Sequence, residues 1–176
     1  MVFKSFVLGA ALTLVALPAV AADIDCGSAN LVKSAKLKIE ACVDPAVWDV
    51  GQGTGGQEFV YFSKDSKAGF AIVTEEPAVD MQAYHDTILQ FATKQSGASD
   101  PLKSYDDTTS TINGKNWSTM HYDVKVQAQT LEFLNYFYSE QGLGSTQFIF
   151  WSLPVDAAMV QSDLAGKVMP TVTVVQ

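Results

Sequence analysis

The stretch LEFLNYFYSEQGLGSTQFIFW, residues 131–151, decides the fold of this chain. It contains two runs, residues 131–138 and 146–151, in which apolar side chains occupy both alternate sets of positions. A strand with apolar residues on both faces is typical of a strand that is covered on both sides. A glycine-containing segment, residues 141–144, separates the runs and favours a turn. We therefore predict a central β-hairpin with packing layers on both sides.

Further strands precede this hairpin in the sequence. Asn113-Gly114 is the signal of a tight type I′ hairpin turn, because both residues tolerate positive φ. Apolar patterns predict the other strands at residues 36–43, 58–63, 69–74, 108–112 and 116–126. Residues 36–43 alternate between apolar and charged, which predicts one buried and one solvated face that includes Glu40.

Two segments favour helices. Apolar residues recur at helical spacing from Met81 to Ala92, with Asp80 placed to cap the start and Gly97 just past the end. A second helical piece, residues 155–169, lies between two prolines. The order of strands, helix, hairpins and helix predicts an α+β domain, a curved antiparallel sheet of about six or seven strands with two helices packed against it. A cystatin-like α+β domain is the alternative.

Residues 1–21 have the composition of an export signal. Lys4 supplies the positive charge, residues 6–17 the apolar core, and residues 19–21 an A-x-A cleavage site. We expect residues 22–176 to form a single domain that is periplasmic or secreted. The sequence has no second apolar run of about 18 residues, so we expect no membrane span.

Cys26 and Cys42 are the two cysteines of the chain. In an oxidising compartment an even pair predicts a disulfide. It would close a loop of about 15 intervening residues and contribute about 3 kcal/mol to stability. A redox-active pair favours the shorter C-x-x-C spacing, and a free or catalytic thiol is the remaining alternative.

The charge of the chain argues against nucleic acid or an anionic membrane as a partner. The formal net charge is -8, and all 11 basic residues are lysines. Nucleic-acid and phosphate sites usually depend on the bidentate guanidinium of arginine and on a basic face. This acidic, arginine-free chain offers neither.

The sequence motifs assign no catalytic residue, no cofactor and no metal. Residues 51–56 match G-x-G-x-x-G, but a predicted strand follows where a dinucleotide site needs a helix. His85 stands beside Asp86, and adjacent residues on a helix are not expected to face each other. His121 lacks the further ligands of a zinc site. A catalytic triad assembled in space from distant serines and histidines stays open as an alternative.

Trp117 and His121 form the candidate binding surface. The two-residue period of a strand places them on one face and Met120 and Tyr122 on the other. Because the Met120 face is the more apolar, we expect it to be buried and the Trp117 face to be exposed. Most aromatic residues of the central hairpin are interpreted as core, and the alternative for some of them is the lining of a cleft or an exposed docking patch.

The order of elements resembles that of PsbP-like proteins, a group that includes the DcrB-like exported bacterial proteins. The resemblance spans residues 36–169 and lies in the pattern of elements. It is carried by residues 47–50, 58–62, 69–73, 84–91, 112–114, 136–138 and 147–151. It implies a curved antiparallel sheet with helices packed across it and a non-enzymatic role in assisting other proteins.

These observations lead to one functional hypothesis and one alternative. The chain is expected to be an exported, monomeric binding or accessory protein of the bacterial envelope, with an envelope protein as its partner. The alternative is a small secreted hydrolase or a carrier of a small apolar ligand.

Overall fold

A seven-stranded antiparallel sheet dominates the computed structural model, which describes residues 24–126 and 128–175. Its strands, in spatial order, are β3 (Trp48–Val50), β4 (Gln57–Ser63), β5 (Ala68–Glu75), β9 (Gly144–Ser152), β8 (Gln129–Glu140), β7 (Lys115–Val126) and β6 (Tyr105–Ile112). A three-stranded sheet contains β1 (Asn30–Lys33), β2 (Ile39–Val43) and β10 (Thr173–Val174), with β2 in the middle. The expected export signal, residues 1–21, lies outside the described residues.

The predicted central hairpin is confirmed. β8 and β9 pair with each other, and their outer neighbours in the sheet are β7 and β5. Both β9 phenylalanines, Phe148 and Phe150, are fully buried. The tight turn predicted at Asn113-Gly114 joins β6 to β7, and both residues have positive φ, 46° and 78°. The α+β fold class is therefore as predicted.

The first predicted helix is α1 (Met81–Ser96). The Asp80 side chain accepts hydrogen bonds from the backbone N–H groups of Gln82 and Ala83, which caps the helix N-terminus. Gly97 adopts the left-handed conformation, φ 66°, that ends many helices.

The second predicted helical piece extends over residues 154–171, named here the C-terminal helical segment. It consists of 3₁₀ turns at Pro154–Asp156 and Met169–Thr171, α-helical turns at Ala157–Met159 and Gly166–Val168, and a π-helical turn at Val160–Ala165. Across the described part of the chain, no helix is both long and apolar enough to cross a membrane.

The two faces of the seven-stranded sheet carry separate hydrophobic clusters. The inner face packs against the three-stranded sheet and the C-terminal helical segment. The outer face packs against α1. Because successive side chains of a strand point to opposite faces, β7 contributes Trp117 to the inner cluster and Met120 to the outer one. The sheet is thus the middle layer of three.

The predicted solvated face of residues 36–43 is wrong for Glu40. Glu40 is buried, and its carboxylate lies 3.0 Å from the Lys33 ammonium of β1. The reason is that β2 is the middle strand of the three-stranded sheet, so the residue directly opposite on β1 covers it.

Candidate functional site

Four aromatic rings form a continuous line across the outer face, named here the aromatic row: Phe62, Trp151, Phe133 and Tyr122. They occupy one register line that runs through β4, β5, β9, β8 and β7. Ring centroids are 6.1 Å apart for Phe62 and Trp151, 6.3 Å for Trp151 and Phe133, and 5.3 Å for Phe133 and Tyr122. The four rings therefore form one contiguous row of contacts, which is buried at Tyr122 and exposed at Phe62.

Gly69 is the β5 residue on this line, and the absence of a side chain there lets the Trp151 ring lie directly on the sheet. A Cβ atom placed on Gly69 would sit only 2.3 Å from Cζ2 of the indole and 2.8 Å from its Nε1. The indole therefore rests directly on the glycine backbone of β5. A larger residue at this position would push the ring off the sheet.

The row becomes more exposed with distance from α1. Tyr122 is buried in the cluster that α1 covers, and Phe133 packs against that cluster. Trp151 is partly buried, and Phe62 is 47% exposed. Since α1 packs over β7, the Tyr122 end of the row lies beneath the helix and the Phe62 end lies away from it.

Trp117, one of the two predicted surface residues, is buried. It is 1% exposed, stacks on Tyr138 with ring centroids 5.2 Å apart, and meets the edge of Phe148 at 5.8 Å. The prediction of an exposed Trp117 is wrong because both faces of β7 are covered. Alternation along β7 separated the two faces correctly but held no information about what packs on each.

His121 lies on the inner face of β7 and is partly buried. Its Nδ1 atom is 3.2 Å from a Glu132 carboxylate oxygen, and its ring centroid is 5.8 Å from that of Tyr105. The Tyr105 hydroxyl donates to Asp123. Burial, together with the neighbouring Asp123 carboxylate, raises the pKa of Tyr105. These contacts join the edge strand β6 to β7 and β8, so a structural role accounts for them.

His85 joins α1 to the loop that precedes β6. Its Nδ1 is 3.1 Å from Asp86, so the prediction that these neighbours do not meet is wrong. Its Nε2 is 3.1 Å from the Ser104 hydroxyl and 3.4 Å from Asp107. Ser104 donates its hydrogen to Asp107. His85 thus has the Asp86 carboxylate at one ring nitrogen and the Ser104 hydroxyl, with Asp107 beyond it, at the other, and the direction of the His85–Ser104 hydrogen bond depends on the tautomer of the imidazole.

The remaining predicted residues are placed as follows. Cys26 and Cys42 form a disulfide, with Cα atoms 5.4 Å apart, which ties the N-terminal arm to β2. Residues 51–56 are followed by strand β4. Within residues 24–126 and 128–175, no cluster of three histidine, cysteine or acidic side chains is suited to hold a metal ion.

Comparison with known proteins supports the fold assignment. No family model and no curated protein sequence matches this chain. Among solved structures, cyanobacterial PsbP (CyanoP) from Synechocystis sp. PCC 6803 is similar over 92% of this chain and 99% of its own, with a TM-score of 0.64 and 12% identity. A protein from Bacteroides thetaiotaomicron VPI-5482 matches 85% of this chain and 49% of its own, with a TM-score of 0.55 and 9% identity.

These identities show the fold alone. The domain is PsbP-like, as the order of its elements predicted, and this comparison favours that fold over the cystatin-like alternative. The aromatic row was not predicted. A glycine within a strand signals close approach of another group, and Gly69 opposite Trp151 was the available clue.

Proposed function

We propose that this chain is an exported accessory protein of the bacterial envelope that binds a protein partner through the aromatic row. The observation that carries the proposal is that the aromatic row ends at the surface in Phe62, 47% exposed, next to the partly buried Trp151. Exposed apolar surface of this kind marks interaction sites. Aromatic side chains are enriched in interface cores and supply many of the residues that dominate binding energy.

The charge of the chain indicates the chemistry of the partner. Asp49 on the edge strand β3 is exposed and lies directly opposite Phe62. The formal net charge is -8, and the sequence contains no arginine. The fitting partner is therefore an apolar protein surface with a basic rim, because complementary charge speeds association and selects partners.

Export is supported by the leader-like composition of residues 1–21 and by the disulfide. It is tested separately from docking. N-terminal sequencing of the protein from a periplasmic extract should begin at Ala22. An N-terminus at Met1, with all of the protein in the cytoplasmic fraction, would refute export.

Docking is tested by in-cell photocrosslinking from a benzoylphenylalanine at position 62. We expect one discrete crosslinked species on a gel. Its yield should fall when Trp151→Ala is added. Position 91 is the matched control, since Phe91 is an exposed phenylalanine, 60% accessible, that lies on α1 outside the row. Equal crosslinking from both positions, or none from position 62, would contradict docking through the row.

A further inference from the structure

A cleft of about 320 Å³ opens on the inner face, opposite the aromatic row. Ser110, Ile112 and Tyr136 line it from the strands, while Met169 and Pro170 line it from the C-terminal helical segment. Its volume lies near the lower end of the range for small-molecule sites. The cleft exists because the helical segment leaves the inner side of the β6 edge uncovered.

The two walls of the cleft are held together by one side chain. Asn113, in the β6–β7 turn, donates hydrogen bonds to the backbone carbonyls of Pro170, at 3.0 Å, and Val172, at 2.8 Å. The two bonds fix the turn against the end of the helical segment and the residue that follows it. A cleft with fixed walls binds without a large ordering cost.

Three hydroxyl groups lie on this part of the inner face. Ser110 and Tyr136 line the cleft, and no described residue makes a hydrogen bond to either side chain. Thr119 lies directly opposite Tyr136 in the sheet, is 6% exposed, and its hydroxyl has no partner among the described residues. The Ser110 and Tyr136 hydroxyls are therefore available to a molecule in the cleft, whereas Thr119 lies behind its lining.

The charge of the cleft restricts what it accepts. Its lining residues are all uncharged, and Ile112 and Met169 add apolar surface. The lining offers no basic side chain to an anion and no carboxylate to a cation. The Tyr136 hydroxyl is a hydrogen-bond donor at neutral pH, and burial raises its pKa further above the ordinary tyrosine value.

We propose that this cleft binds a small uncharged organic molecule with an apolar body and an oxygen that accepts a hydrogen bond from Tyr136. This site is distinct from the aromatic row, because the two occupy opposite faces of the sheet. Either proposal therefore stands if the other fails.

A fluorescence titration with 2-naphthol, a neutral and largely apolar probe, tests the site. We expect saturable binding, with the anionic analogue 2-naphthoate at least about tenfold weaker because its charge would be left unpaired. Tyr136→Phe keeps most of the side-chain volume and removes the hydroxyl. It should lower the affinity for 2-naphthol about fivefold.

Matched variants locate the binding. Ser110→Phe fills the cleft and should lower the affinity for 2-naphthol at least about tenfold. Thr109→Phe, on the opposite face of the same strand, should not change its affinity, and neither should Phe62→Ala in the aromatic row. Absence of saturable binding would overturn the proposal. Equal affinity for 2-naphthoate, or unchanged affinity in both Tyr136→Phe and Ser110→Phe, would also overturn it.

Discussion

The inner and outer faces of the seven-stranded sheet are both apolar, yet they differ in how they are covered. The inner face lies beneath a second sheet and the C-terminal helical segment, which together bury Trp117. The outer face lies beneath α1 on one side, and the aromatic row extends beyond it. Exposure is thus set by what packs on a face and not by its hydrophobicity, since folded proteins also expose much apolar surface.

The largest expected effect separates the two faces directly. Trp117→Ala should lower the free energy of unfolding by about 3–5 kcal/mol, because it empties a fully packed core position. Phe62→Ala should cost less than about 1 kcal/mol, since nearly half of that side chain is already in water. Urea denaturation of both variants measures the difference. Equal losses would mean that the outer face is as well packed as the inner one.

The second prediction concerns the sheet that covers the inner face. Cys42→Ser removes the bridge between the N-terminal arm and β2 and should lower stability by about 3 kcal/mol, because the unfolded chain regains the freedom of the loop. Thermal melts measure the loss. Cys26→Ser is the matched variant, because it opens the same loop and keeps the buried Cys42 sulfur in place as a thiol. An unchanged melting curve in both variants would show that the bridge adds nothing.

The third prediction tests the contact that builds the aromatic row. Gly69→Ala should cost about 1–3 kcal/mol, because the new methyl group displaces the Trp151 indole. In a Trp151→Ala background the same change should be neutral or stabilising, since alanine is favoured over glycine inside a strand. A double-mutant cycle measures this coupling. Additive effects would show that the indole does not rest on Gly69.

Local patterns predicted the elements that depend on local chemistry. The caps of α1 and the Asn113-Gly114 turn could be predicted because each needs particular residues at particular positions. The central hairpin could be predicted because apolar residues on both of its faces require two covering layers. These signals lie within a few residues of the feature that they specify.

The candidate sites depend on contacts between distant segments, which explains why the sequence predicted them poorly. Trp117 packs against Tyr138 and Phe148, 21 and 31 positions later, and the row joins Phe62 to Trp151, 89 positions later. His85 meets Ser104 through a loop with no periodic signal. Alternation assigns a residue to one face of a strand, but the choice of covering layer is a tertiary property.

The smallest expected effect concerns Glu58 of β4, which fastens the three-stranded sheet to the larger sheet. Its carboxylate accepts hydrogen bonds from the Ser34 hydroxyl at 2.7 Å, the Ala35 backbone N–H at 2.5 Å, and the Thr74 hydroxyl. Burial alone would raise the pKa of Glu58, but these hydrogen bonds and nearby Lys36 outweigh it, so the pKa lies below its ordinary value.

A lowered carboxyl pKa stabilises the folded chain above the ordinary glutamate value of about 4.5, and this contribution is lost as the pH falls through the lowered value. Glu58→Gln should therefore cost about 1 kcal/mol at pH 7, a modest loss because much of the side chain faces solvent. The difference in the free energy of unfolding between this variant and the unmodified protein should shrink as the pH falls below about 4.5. Urea denaturation at several pH values measures it, with Glu76→Gln, an exposed glutamate, as the control. A difference in the free energy of unfolding that does not change with pH would mean that Glu58 acts through its shape and not through its charge.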